Sequence, residues 1–196
     1  MDTILYIDGE NFLKKMKTVI RNRNESNSDL SSYNFKGLLN QVLREIKINK
    51  RFFYSARLKE HPKTREKSKE LIEKQRILKT NLEKQEFDFI LSGSVRGYMS
   101  KDSKGRELLI FKEKGVDVRM AVDMVTSACD KKIKTAIIGS SDSDLQPAIK
   151  VLKERSVECI YLGFELSPNK GLTYTTDRTI LIRNSEVLEF LVKTLI

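Results

Sequence analysis

Five aspartates stand where they could do chemistry: Asp8, Asp117, Asp123, Asp142 and Asp144. Asp142 and Asp144 follow the apolar run 135–138, which reads as a buried strand, after a break at Gly139 and two serines. Pro147 then marks a helix start, where proline is tolerated. The pair therefore falls just past the carboxyl end of a strand, the edge at which open α/β sheets bind ligands. Asp8 sits at the end of another apolar run, 3–7, and Asp117 opens a helix over 118–129. Each has a plainer role available, as a turn residue or an N-cap. Asp123 lies inside that helix among apolar residues, where a carboxylate needs a cation or hydrogen bonds. It stands about 9 Å along the axis from Asp117, so it reads as a supporting group or as a ligand of a second ion.

Carboxylates gathered at one edge repel one another, and some keep their protons unless a cation neutralises them. Hard oxygen ligands favour Mg²⁺ or Mn²⁺. Such an ion lowers the pKa of a bound water and steadies charge on a phosphoryl oxygen. With Lys112, Lys114 and Arg119 nearby to hold phosphates, the chemistry expected is in-line hydrolysis of a phosphodiester, leaving a 5′-phosphate and a 3′-hydroxyl.

Composition narrows the field. The chain has 196 residues, enough for one domain with a substantial core. Its formal net charge of +10 suits a polyanionic partner, nucleic acid being the usual one, although a lysine-rich surface has the same look. His61 is the single histidine and there is no C-x-x-C, which removes Cys/His zinc sites and any catalytic design with two histidines. Cys129 and Cys159 read as reduced core residues, as in a cytoplasmic protein. No apolar run approaches a membrane span, and the start of the chain lacks a signal-peptide layout.

The elements that must position these acids follow from periodicity. Strands are expected at 3–7, 51–56, 87–91, 135–138, 157–162 and 179–182. Helices are expected at 12–20, capped by Asn11 after a sharp turn at Gly9, and at 35–47, 59–85, 118–129, 148–155 and 185–195. A hairpin is expected between arms 95–99 and 107–111, basic through Arg96, Lys101, Lys104 and Arg106, with Tyr98 for stacking. Residues 167–176 read as a loop. Alternation of strands and helices predicts an α/β fold of three layers around a mostly parallel sheet.

Three motifs, Asp8-Gly-Glu-Asn11, Lys114-Gly-Val-Asp117 with Asp123, and Ser140-Ser-Asp-Ser-Asp144, resemble the NYN domains, LabA-like members of the PIN-like nuclease superfamily. They fall in that family's order over about residues 3–165, with the strand and helix at 179–196 packing on that core as part of one domain. The resemblance implies a PIN-like fold, an acidic Mg²⁺ or Mn²⁺ site and RNA cleavage. Carried over, Asp8, Asp117, Asp142 and Asp144 are metal ligands, and Asp123 completes the catalytic set. Asn11 orients substrate or the first aspartate, and Arg96, Lys114, Arg119 and Ser140 are substrate contacts. Ser141 replaces the glycine common in the family.

Single-stranded RNA is the partner expected, with DNA and a homodimer left open. A rival reading is a catalytically silent RNA-binding adaptor on the same fold. A haloacid-dehalogenase-like phosphatase fits less well, because it wants Asp-x-Asp after the first strand and position 10 is Glu10. A receiver domain wants an aspartate after the third strand, where the chain has Ser92-Gly-Ser94.

Overall fold

The computed structural model describes residues 1–22, 29–101 and 105–191, with backbone alone at 63, 96–99, 101, 107–109 and 112. Seven strands form one sheet: β1 (Asp2–Asp8), β2 (Lys50–Arg57), β3 (Asp88–Lys101), β4 (Glu107–Lys114), β5 (Ile133–Gly139), β6 (Glu158–Phe164) and β7 (Arg178–Ile182). Their spatial order is β4-β3-β2-β1-β5-β6-β7, parallel throughout except for the antiparallel β3–β4 pair. The α/β class and the mostly parallel sheet are those the sequence predicts.

Helices cover both faces. They are α1 (Gly9–Arg21), α2 (Phe35–Val42), α3 (Arg65–Lys84), α4 (Val116–Cys129), α5 (Gln146–Glu154), α6 (Lys170–Thr175) and α7 (Asn184–Glu189). Alternation along β1 divides the core. Leu5 and Ile7 pack among α1, α2 and α7, with Phe12, Leu38 and Val187. Ile4 and Tyr6 face α4 and α5, with Met120, Met124 and Ile149. Ile137 and Ile138 are both fully buried, one on each face. That is why the β5 run is continuously apolar rather than alternating. Each such side chain contributes about 1.5–3 kcal/mol through burial.

Sheet order fixes where a site can form. Successive strands go one way from β1 toward β4 and the other way from β5 toward β7, so the switch point lies between β1 and β5. A crevice opens at the carboxyl ends of such a pair. The antiparallel β4 adds to it, because it runs back to the same edge: Lys114 lies opposite Ser94, which is itself level with the end of β2. Gly115 then turns the chain into α4 with φ +90°, a conformation that strains any residue with a Cβ.

Several local expectations differ. The hairpin arms are not separate from the third strand: β3 runs unbroken for 14 residues and β4 completes the sheet edge. The helix expected over 35–47 stops at Val42, and α3 begins at Arg65 behind a 3₁₀ turn at Pro62–Thr64. The loop expected over 167–176 contains α6, capped by Asn169, whose side chain accepts the Leu172 N–H at 3.0 Å. That is an ordinary N-cap within a polar run. Of the closing helix, Asn184–Glu189 is formed, and residues 192–196 lie outside the described residues. Cys159 is buried as expected, but Cys129 is exposed at the end of α4. Among the described residues no helix is long and apolar enough to cross a membrane.

Candidate active site

Asp8 is both the last residue of β1 and the N-cap of α1. Its Oδ1 accepts the Asn11 backbone N–H at 3.2 Å, and its Oδ2 accepts Asn11 Nδ2 at 2.6 Å. The cap is therefore Asp8, not Asn11 as expected, and Asn11 orients the aspartate. Gly9 is required by close packing rather than by a sharp turn: a Cβ there would run into the Phe53 ring and the Tyr54 carbonyl of β2.

From β5, Ser140 reaches across the switch point. Its hydroxyl donates to Asp8 Oδ2 at 3.1 Å and accepts the Asp142 backbone N–H at 3.1 Å. Ser140 is buried, so its hydroxyl ties the loop after β5 to the end of β1 rather than facing a ligand. Asp142 Oδ1 in turn accepts the Asp144 N–H at 2.9 Å and caps the 3₁₀ turn Ser143–Leu145. Burial raises the Asp8 pKa above the usual carboxylate value. The bonds from Asn11 and Ser140 oppose that rise, and the Asp142 charge adds to it.

Asp117 arrives from the opposite wall, in the first turn of α4. Carboxylate oxygens of Asp117, Asp142 and Asp144 lie within 4.8 Å of one another. Two oxygens facing each other across an octahedral Mg²⁺ are about 4.2 Å apart at ~2.1 Å bond lengths. Small rotamer shifts would thus let one hard cation bind all three. Asp142 and Asp117 are half-buried and Asp144 is exposed, so the set is open to solvent on one side.

Two further acids join this edge without having been singled out from the sequence. Glu113, near the end of β4, is hydrogen-bonded to Glu10 of α1, and it feels the charges of Asp8 and Asp117. Burial pushes its pKa up to about 9, and Glu10 and the two aspartates push the same way. A half-buried carboxyl group surrounded by like charges keeps its proton when no cation separates them. The signal was present in the sequence: Glu113 is four residues before Asp117. It was missed because the strand was expected to end at Phe111, which put Glu113 outside any regular element.

Asp123 is placed elsewhere. Arg119 Nε donates to both of its oxygens at 2.9 Å, and the Tyr54 hydroxyl donates to Oδ2 at 3.1 Å. Burial, with the Asp123 charge, raises the Tyr54 pKa and keeps that hydroxyl a donor. Asp123 is not part of the close triad, and Arg119 is engaged with it on the surface of α4. Lys114 is exposed where β4 meets α4. The side chains of Arg96, Tyr98, Lys101 and Lys112, and all of Lys104, lie outside the described residues.

Comparison with known proteins bears on the fold and the family. The chain is similar in structure to a crystallised protein of unknown function from Vibrio parahaemolyticus, at a TM-score of 0.59 and 17% identity, over 92% of this chain and 93% of the other. At that identity the likeness concerns the fold. No curated protein matches the sequence. The family model for the NYN domain matches residues 2–183. That match starts in β1 and ends just past β7, so it takes in every strand and helix that places these acids, and the chain belongs to the NYN domain family of the PIN-like nuclease superfamily.

Proposed function

We propose that this protein is a metal-dependent ribonuclease that hydrolyses phosphodiester bonds of single-stranded RNA. The observation that carries the reading is the convergence of Asp117, Asp142 and Asp144 within 4.8 Å at the sheet's switch point, from two segments far apart in sequence. Those three would hold a Mg²⁺ or Mn²⁺ ion, and Asp8, outside the triad but within Coulomb reach of Asp142 and Glu113, would add a fourth negative charge. Bound there, the ion would supply Lewis acidity toward a phosphoryl oxygen and an activated water.

The chain's own groups have separable tasks. Asn11 and Ser140 fix the Asp8 carboxylate, and through Ser140 they fix the start of the Asp142 loop. Glu113, raised by burial and by the charge of Glu10, keeps its proton at neutral pH while no cation is bound. Lys114, exposed three residues before Asp117, would meet a phosphate. The overall charge of +10 draws RNA toward an otherwise acidic edge.

The test is purified protein with Mn²⁺, given labelled RNA and labelled DNA side by side, with chelator and Asp142→Asn as controls. Cleavage of RNA that both controls abolish is expected. RNA bound but never cut would replace this reading by the silent adaptor, and DNA cut in preference to RNA would change the substrate.

A further inference from the structure

A cleft of about 850 Å³ leads away from the acids, between α1, α3 and the β3–β4 ribbon. Glu10 and Glu113 line its end next to the aspartates. Lys14, Lys17 and Arg21 line it along α1, and Lys74 from α3. The spacing of the α1 cations, three then four residues, puts them on one helix face. Asp29 lies near Lys17 and Lys74, and Lys74 also meets Glu70 at 2.6 Å. The unbalanced charge is therefore on Lys14 and Arg21, which are exposed and in no ion pair among the described residues. From Glu10 to Arg21 is about 16 Å of helix, roughly five phosphates at the ~3.4 Å repeat of a stacked strand.

A smaller recess of about 270 Å³ opens from this cleft and shares Leu58, Leu71, Val95 and Phe111 with it. Phe111 is 41% exposed and Leu71 44%, which leaves two large apolar side chains facing water on the same recess. The His61 ring stands edge-on to Phe111, with centroids 5.5 Å apart and planes at 86°. Leu58 and Val95 extend the apolar part of the wall, and the polar part holds Ser68 and Thr64, which share a hydroxyl hydrogen bond at 3.2 Å, together with Lys59, Glu60 and Lys67. The recess is smaller than the ~300–1,000 Å³ of pockets for drug-sized ligands, which suits one planar ring system rather than a whole nucleotide.

Building on the ribonuclease reading, we propose that this cleft is the path of the RNA strand and that the Phe111 recess takes one unstacked base of it. Basic side chains along a groove, with an aromatic platform beside it, form the arrangement by which single strands are held. A base splayed from the strand stacks on an aromatic ring and meets hydroxyl groups with its edge. Covering Phe111 and Leu71 also removes their apolar surface from water.

The experiment is fluorescence anisotropy on the full chain carrying Asp142→Asn, in Mg²⁺, with a short labelled RNA in which one abasic site is moved along the strand. An abasic site at one or two positions is expected to weaken binding about tenfold, the size of a lost base–aromatic stack. Phe111→Leu, which keeps an apolar side chain in the strand, weakens intact RNA by about the same factor and no longer responds to that position. Phe111→Tyr keeps the ring and the affinity. Lys14→Glu and Arg21→Glu weaken all strands alike and each reduce the salt slope by about one. Uniform abasic effects, full affinity in Phe111→Leu, or no saturable binding would overturn the proposal. Wild-type protein that binds in this pattern but cuts nothing in Mn²⁺ would remove the catalytic reading and leave the cleft standing. Cleavage with unchanged KM in all the cleft variants would do the reverse.

Discussion

Ser140 Oγ donates to Asp8 Oδ2 at 3.1 Å, and this one bond joins the end of β1 to the loop that follows β5. Both residues are buried, with relative exposures of 3% and 4%. Ser140→Ala would leave a buried carboxylate oxygen with one bond fewer, at a cost of about 1–3 kcal/mol. The same change frees the Asp142 N–H that Ser140 accepts. Divalent-ion affinity should fall about 10- to 100-fold, as is usual when a partner of a ligand is removed. Urea melts with chelator and calorimetric Mn²⁺ titration measure the two effects separately.

Like charges at Asp117, Asp142 and Asp144 work against the fold when no cation is bound. Asp117→Asn and Asp144→Asn should therefore leave the chelated protein as stable as wild type or more so, while RNA cleavage falls at least ~100-fold. Mn²⁺ at a hundred times its dissociation constant should stabilise wild type by about 2.7 kcal/mol and the variants far less. Paired thermal melts, with Mn²⁺ and with chelator, decide it; equal stabilisation of all three proteins would place the ion elsewhere.

Glu113 predicts a pH dependence. Its pKa is about 9 in the folded protein against an ordinary value of 4.5. A raised folded value means that the folded state binds the extra proton, so the stabilisation is complete below about pH 4.5 and is lost as pH rises toward 9. Chelated wild type should lose stability across that window, and Glu113→Gln should flatten the slope. A divalent ion should expel the proton, so ion binding near pH 7 should release protons in wild type and fewer in the variant.

Asp123 is committed to Arg119 and Tyr54. Asp123→Ala should cost about 1–3 kcal/mol, because it strands the Tyr54 hydroxyl and loosens α4 against β2. Mn²⁺ affinity should stay within about threefold of wild type, unlike the loss expected for Ser140→Ala. A large loss of ion affinity with little change in stability would restore Asp123 as a supporting group of the ion site or as a ligand of a second ion.

Much of this molecule is legible from residue order. Apolar runs end at Asp8 and at Gly139 because the strands that bear them are buried on both faces. Alternation with helices then requires parallel neighbours and one ligand-binding edge. Capping is less legible. Asp8, Asn11, Gly115 and Asp117 are all acceptable helix-start residues, and only the backbone angles choose Asp8 for α1 and Gly115 for α4.

By itself, then, the sequence determined the fold class, the acidic character of the strand ends and the family, because hydrophobic period and motif spacing are local properties. Tertiary structure decided the membership of the site. It brought Asp117 to Asp142 and Asp144, drew in Glu10 and Glu113, and gave Asp123 to Arg119 and Tyr54. The physical reason is that charge–charge energies depend on distance in space, and the antiparallel β4 helps set those distances by returning the chain to the carboxyl edge of the sheet, where the first turn of α4 brings Asp117 to Asp142 and Asp144.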